Sequence, residues 1–459
     1  MEPKRIKDNF EGPSWSNRIF FYFCLFSSIL IILMIILCFF AVLNIDLALF
    51  GTSQYTAEEL HNIGFYDNER YLLSALVQSL AATIALVITL SLVAVQLAAQ
   101  SYSARVIDVY KRNPDMWILL CIYIITIFYG LGLTKIIGLD ILGNYMEGAI
   151  LVAYFMGFFA FVCLVPYMLK TLDLLKPSTV ITLLTKEITK EKVLEHIQND
   201  DDIDETDPVQ PIIDIINGAL ERNDYETVRN GLKGISGSLI NISDKNNLNG
   251  DDGTKIVDHV ASHIGRFGMH AIDRQNENAT FSTIISLEQV GKEAAEKNPS
   301  ASRRSVDMLG FIGTKATEKR FEVASERAAK ALGNVETRMI VKNEESWAVS
   351  FLREMGVEAA KQNIDNVSWE TVISLKKIGL EAIQQNAKGM VNTILDAIFD
   401  IGKEAIENQL FITPPTSKTA LESLAEKANK QELYDIEKYA LNKANNLENE
   451  LLDINKGYC

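Results

Sequence analysis

Two kinds of side chain in this sequence could do chemistry. The first is a line of uncharged polar residues inside a long apolar stretch: no charge occurs between Tyr71 and Ala104. At about 100° per residue, Ser74, Gln78, Ala82, Ala85, Thr89, Gln96, Gln100 and Ser103 fall on one stripe roughly 80° wide. Lipid leaves hydroxyl and amide groups unsatisfied, so such a face must meet a neighbouring helix or a water-filled cavity. Small residues suit a helix interface. Three large amides on one face suit a pore, because symmetry would turn each into a ring around a hydrated axis. Both readings stay open at this level.

The second kind is histidine. His259 and His263 are one helical turn apart, with Asp258 adjacent and His270 two turns on, a spacing that could hold a divalent metal. Spacing fixes no third ligand, so packed or solvated histidines are the expectation, and neither a metal nor a cofactor is assigned. Residues 244–253 (DKNNLNGDDG) look superficially like a calcium loop. They fail its register, with Leu248 where a ligand belongs and Asn249 where the turn glycine belongs, and read as a flexible turn. The acidic run Asp200 to Asp207 reads as solvated charge.

Other chemistry is missing from the chain. There is no phosphate-binding glycine loop, no dinucleotide fingerprint, no H-E-x-x-H and no G-x-S-x-G, so an enzyme is not expected. The net charge of −15 and pI near 5.0 argue against nucleic acid as a partner. Four of five cysteines (Cys24, Cys38, Cys121, Cys163) lie in apolar runs and Cys459 is terminal, so neither a disulfide framework nor a zinc-finger spacing emerges.

The elements that must position these residues come in two halves. A mean hydropathy of +0.09 is high for a soluble chain and low for a wholly membranous one. Residues 19–43, 72–99, 116–133 and 148–169 each reach the roughly 17 to 25 residues that cross a bilayer, which predicts four spans. The first is too long for a signal-peptide core and is expected to remain as an anchor. Arg105, Lys111, Arg112, Lys170 and Lys176 flank the same side of the spans, so both termini are expected in the cytoplasm. The outer loop holds Asp46, Glu58, Glu59, Asp67 and Glu69 against Arg70, a net charge of −4 that would enrich cations near an entrance. No helix breaker follows the second span before Asn113-Pro114, so its helix is expected to continue to Arg112, about 60 Å in all.

Beyond the spans, Lys176-Pro177 ends one helix, and Ser178 is placed to cap another that carries Val180, Leu183, Leu184, Ile188 and Leu194. A pattern apolar-x-x-apolar-Gly-x-x-Ala then recurs with its glycines at 268, 291, 313, 333, 356, 379 and 402, the fourth copy having Glu336 in place of Ala. Steps of 20 to 23 residues announce stacked supersecondary units. Gly and Ala three apart on one helical face let a neighbour approach closely, and Asn298, Asn363 and Asn386 are placed to end helices. An α-solenoid is the expected result. The tail after Thr413 is charged and helical, with Leu433, Ile436, Ala440, Leu447 and Ile454 near heptad spacing but Lys443 at a d position; a cap on the stack is favoured over a coiled coil.

Residues 90–115 (LSLVAVQLAAQSYSARVIDVYKRNPD) resemble a family of uncharacterised prokaryotic membrane proteins with a Ser/Thr/Gln-rich second span. Gln96-Leu97 and Tyr102-Ser103-x-Arg105 carry the likeness, and Ala104 stands where the family has proline. The resemblance is limited to the membrane half and first cytoplasmic helices, and implies topology without activity.

The expected protein is all-α. Its parts are a cytoplasmic segment 1–18, a four-helix membrane domain 19–170, a juxtamembrane helix and acidic linker 171–211, a helical-repeat domain 212–412 and a tail 413–459. In a prokaryotic plasma membrane it would work as a homo-oligomeric ion channel lined by the polar stripe. The alternative is a membrane-anchored scaffold or sensor whose solenoid binds a protein. Its partners would then be further copies of the chain, lipid, inorganic cations and a cytoplasmic protein.

Overall fold

The computed structural model describes residues 65–101, 114–137, 146–198, 207–246, 250–340 and 347–457 of the 459-residue chain. Among these the secondary structure is helical, and the chain divides into two compact units, Met1–Thr179 and Val180–Cys459.

The first unit holds α1 (Phe65–Ser101), α2 (Pro114–Ile136) and α3 (Met146–Leu174), which pack pairwise. Each contains a stretch long and apolar enough to cross a membrane: Asp67–Val93, Met116–Ile136 and Met146–Asp173. The fourth expected span, residues 19–43, lies outside the described residues, as do residues 102–113, over which α1 was expected to continue past Ser101. At its other end α1 starts earlier than expected. Asp67 and Glu69, read from the sequence as outer-loop carboxylates, lie in the first turns of this helix. The partial positive charge of a helix N-terminus favours acids there, which is why charge does not mark the boundary. The Tyr154 hydroxyl of α3 donates to Glu69 Oε2. Asp46, Glu58 and Glu59 lie outside the described residues.

Pro177, just before the second unit begins, opens α4 (Pro177–Glu187), which stops where the sequence suggested it would run on; Thr189 breaks it and starts α5 (Lys190–Gln198), taking a bond from the Lys192 N–H on its hydroxyl at 3.4 Å. Then follow α6 (Gln210–Glu221), α7 (Tyr225–Asn246), α8 (Asp251–Asp273), α9 (Glu277–Lys297), α10 (Arg303–Glu318), α11 (Glu322–Met339), α12 (Ala348–Lys361), α13 (Asp365–Gln384), α14 (Lys388–Glu407), α15 (Thr413–Lys430) and α16 (Tyr434–Gly457). From α8 on, each helix packs against the next and the next but one, giving a helical repeat in two rows.

The Gly-x-x-Ala pattern explains both contacts. A Cβ at Gly268 in α8 would come within 2.6 Å of Thr283 in α9 and 2.6 Å of Ile312 in α10. One at Gly356 in α12 would meet Thr371 of α13 and Ile401 of α14, both at 2.5 Å. Each such glycine sits where three helices meet, which offsets the roughly 1 kcal/mol it costs inside a helix. The alanine has a different task, closing the helix. The carbonyls of Ala271, Ala316, Ala359, Ala382 and Ala405 accept the N–H five residues on, at 2.8–2.9 Å, across a residue in the left-handed conformation. Asn363 (φ 60°) and Asn386 (φ 59°) fill that place, but so do Gln275, Arg320 and Gln409. Asn298 does not: its φ is −146°, and its amide donates to the Gly250 carbonyl and Thr254 hydroxyl.

The last two helices pack on the preceding ones, α15 against α13 and α14, and α16 against α14 and α15. Ile436, Ala440 and Leu447 are buried. Lys443 reaches Asp396 of α14 at 2.7 Å and lies over the Phe399 ring, so this break in the heptad is a contact to the stack.

Candidate functional site

On α1 the buried side chains lie along one side of the helix. Leu73, Val77, Leu80 and Val87 are buried, with Leu73 in one cluster with Leu133 and Ile150, and Leu80 and Val87 in another with Tyr123 and Tyr167. The close approaches come from glycines of the neighbours. A Cβ on Gly130 of α2 would fall 2.7 Å from Val77, and one on Gly157 of α3 would fall 2.8 Å from Leu76. The small residues of the polar stripe are therefore not what brings α1 against α2 and α3.

The stripe is on the other side. Gln78, Ala82, Ala85, Thr89 and Gln96 are exposed and Ser74 half-buried. Gln78 Nε2 donates to Ser74 Oγ at 3.4 Å and Thr89 Oγ1 to the Ala85 carbonyl at 2.9 Å. A glutamine carries two donor hydrogens and a carbonyl acceptor, so such a bond leaves polar capacity on that face. Gln100 lies in the last turn of α1, and Ser103 lies outside the described residues.

The histidines of α8 give a different result. Asp251 and Asp252 occupy its first turn, where the helix dipole favours them, and Asp251 pairs with Lys255 at 2.7 Å, so this part of the calcium-like run serves a helix start. Ile256, Val257, Val260, Ile264 and Phe267 are buried against the stack. This orientation turns His259 and His263 toward Asp207, which precedes α6. His259 Nε2 is 3.2 Å from Asp207 Oδ1 and His263 Nε2 2.8 Å from Oδ2. His196 of α5 completes the group, its ring centroid 5.3 Å from that of His259, which is 4.6 Å from that of His263. One ligand atom each from His196, Asp207 and His259 lie within 4.8 Å of one another.

Asp207 is the surprise. It belongs to the run read as solvated charge, yet it is 3% exposed. Its Oδ1 also accepts the Val209 N–H at 2.8 Å, a turn that starts α6. Burial pushes its carboxyl up, but hydrogen bonds from His259 and His263 outweigh this and hold it below the usual carboxylate range. The sequence signal for it was Asp207-Pro208 ahead of Pro211, an acid placed to start a helix. His196 had no such signal. Of the other expected partners, Asp258 faces Arg304 and Asp307 of α10, its carboxyl raised by burial. His270 lines a separate groove with Met269, Met308 and Phe311. Arg266 Nη2 lies 3.4 and 3.5 Å from the two ring nitrogens of His263.

No curated protein matches this chain. A solved structure described as "Circular tandem repeat protein with novel repeat topology and enhanced subunit contact surfaces" resembles it with a TM-score of 0.42 and 11% identity, over 85% of this chain and 98% of that one. Residues 19–242, which include the described spans and both His196 and Asp207, match the model of the uncharacterised family described as "Predicted membrane protein (DUF2254)".

Proposed function

We propose that the protein is a homo-oligomeric ion channel, not an enzyme, in which copies of α1 surround a hydrated axis. Residues 19–43 would be a fourth span, and both termini would lie in the cytoplasm of a prokaryotic cell. The helical repeat would form a solenoid there, regulating the pore. One observation carries this reading: α1 packs Leu73, Val77, Leu80 and Val87 against α2 and α3, and Gln78, Thr89 and Gln96 lie exposed on the side turned away from them, alongside the exposed Leu86 and Leu92. A face of amides directed into lipid is expensive, whereas rings of the same amides around water are not. The carboxylates Asp67 and Glu69, with Asp46, Glu58 and Glu59, would favour cations at the outer mouth over a screening distance of about 8–10 Å.

The test is reconstitution of the full chain in planar bilayers. Single-channel currents that fall when Gln96→Leu removes one amide ring are expected. Absence of current, or a conductance that Gln96→Leu leaves unchanged, overturns the channel and leaves the scaffold or sensor, with the solenoid binding a cytoplasmic protein.

A further inference from the structure

Three segments converge on one carboxylate in the second unit: α5 brings His196, the start of α6 brings Asp207, and α8 brings His259, 52 residues beyond Asp207, and His263. We propose that His196, Asp207 and His259 bind a divalent transition-metal ion of the zinc type, with His263 as an outer partner held through the second oxygen of Asp207.

The donor set selects the metal. Two imidazoles and one carboxylate suit zinc and its neighbours, whereas calcium and magnesium want oxygen alone. Zinc bonds of about 2.0–2.2 Å in tetrahedral array need ligand atoms roughly 3.3 Å apart. His259 Nε2 and Asp207 Oδ1, at 3.2 Å, already have that separation. Bringing the His196 nitrogen in from within 4.8 Å requires a movement that side-chain rotation can supply.

Asp207 Oδ1 faces His259 and Oδ2 faces His263, and the His196 ring stands beside that of His259. His263 suits the outer position because Arg266 lies against both its ring nitrogens, and a guanidinium opposes direct coordination there. A ligating carboxylate hydrogen-bonded by a second histidine is the usual way an outer partner fixes a metal ligand. Three protein ligands leave a fourth position for water. The ion would clamp α5 and the start of α6 to α8, and so fix the entry of the chain into the helical repeat.

The test uses the full chain purified in detergent with any affinity tag removed, titrated with Zn²⁺ against a chromophoric chelator. One Zn²⁺ per chain is expected, retained in Cys459→Ser. Affinity should fall by more than about 100-fold in His196→Ala and by about 10–100-fold in His263→Gln. Zinc should raise the Tm of the unaltered chain and not that of His196→Ala, a variant on the half-exposed side of the site whose folding circular dichroism can verify. The proposal is overturned if the unaltered chain does not compete with the chelator, if His196→Ala binds as tightly, or if Cys459→Ser abolishes binding.

Discussion

Threonine hydroxyls in the membrane unit bond within their own helix and tyrosines make bonds between its helices, whereas the repeat sets many kinds of polar group between helices. In α1 to α3, Thr83, Thr89, Ser91, Thr126, Thr134 and Thr171 each donate to the carbonyl four residues back in the same helix. In the repeat Thr283 and Thr317 do the same, but in addition Ser243 reaches Glu293, Arg304 reaches Ser262, and Glu277 of α9 accepts the N–H groups of Val323 and Ala324 at the start of α11. Asp365 of α13 does the same for Phe411, Ile412 and Thr413 at the start of α15. The difference follows from the solvent. Lipid offers no substitute partner, so a donor that depends on a neighbouring helix is exposed to loss whenever helices shift. Water stands in for a lost partner at the repeat's surface, and polar groups there are free to set the register between helices.

Steric fit at the three-helix junctions gives the largest expected effect. Gly268→Val should destabilise the repeat by about 3 kcal/mol, because its branched side chain must displace Ile312 and Thr283. At Gly237 a Cβ meets nothing within 4 Å, so Gly237→Ala should stabilise by about 0.5–1 kcal/mol. Urea unfolding followed by circular dichroism separates the two, and equal effects would remove the special role of the junction. Next comes the bridging acid. Asp365→Ala should cost about 2 kcal/mol, since three N–H groups at the start of α15 lose their acceptor; hydrogen exchange should speed first at residues 411–413. The smallest effect belongs to the membrane unit. Thr83→Val should change stability in detergent by less than about 0.5 kcal/mol, because its hydroxyl bonds only within α1. A cost as large as that of Asp365→Ala would erase the contrast between the units.

The repeat was readable because its evidence is local. Gly and Ala three residues apart occupy one face, and a nearly regular step between glycines states that the same joint recurs. The apolar spans were readable for a similar reason, since length and hydropathy need no partner to interpret. Two features escaped. Helix ends at Gln275, Arg320 and Gln409 carry no Gly or Asn, because the surrounding bonds and packing hold the left-handed conformation whatever the side chain. The histidine cluster escaped because Asp207 is 52 residues from His259 and lies in a run whose composition speaks of solvent. A pair one turn apart was visible on α8, but what stands opposite it is decided by how α5 and α6 fold back. The stripe on α1 lay between these cases: its existence was written in the spacing, and the side it faces depends on which residues α2 and α3 cover.

The recurring glycine joint also bears on how such a chain can change in length. Because Gly268, Gly313, Gly356 and Gly402 each meet the two helices that follow, no joint depends on its place in the series. Consecutive helices joined by short connections run in opposite directions, so removing one would reverse all that come after. Removing or duplicating two, on the order of 45 residues at the observed spacing, would leave every surviving joint with its own kind of neighbour. Insertions and deletions in related chains should therefore come as helix pairs, with ends that vary while the joint does not.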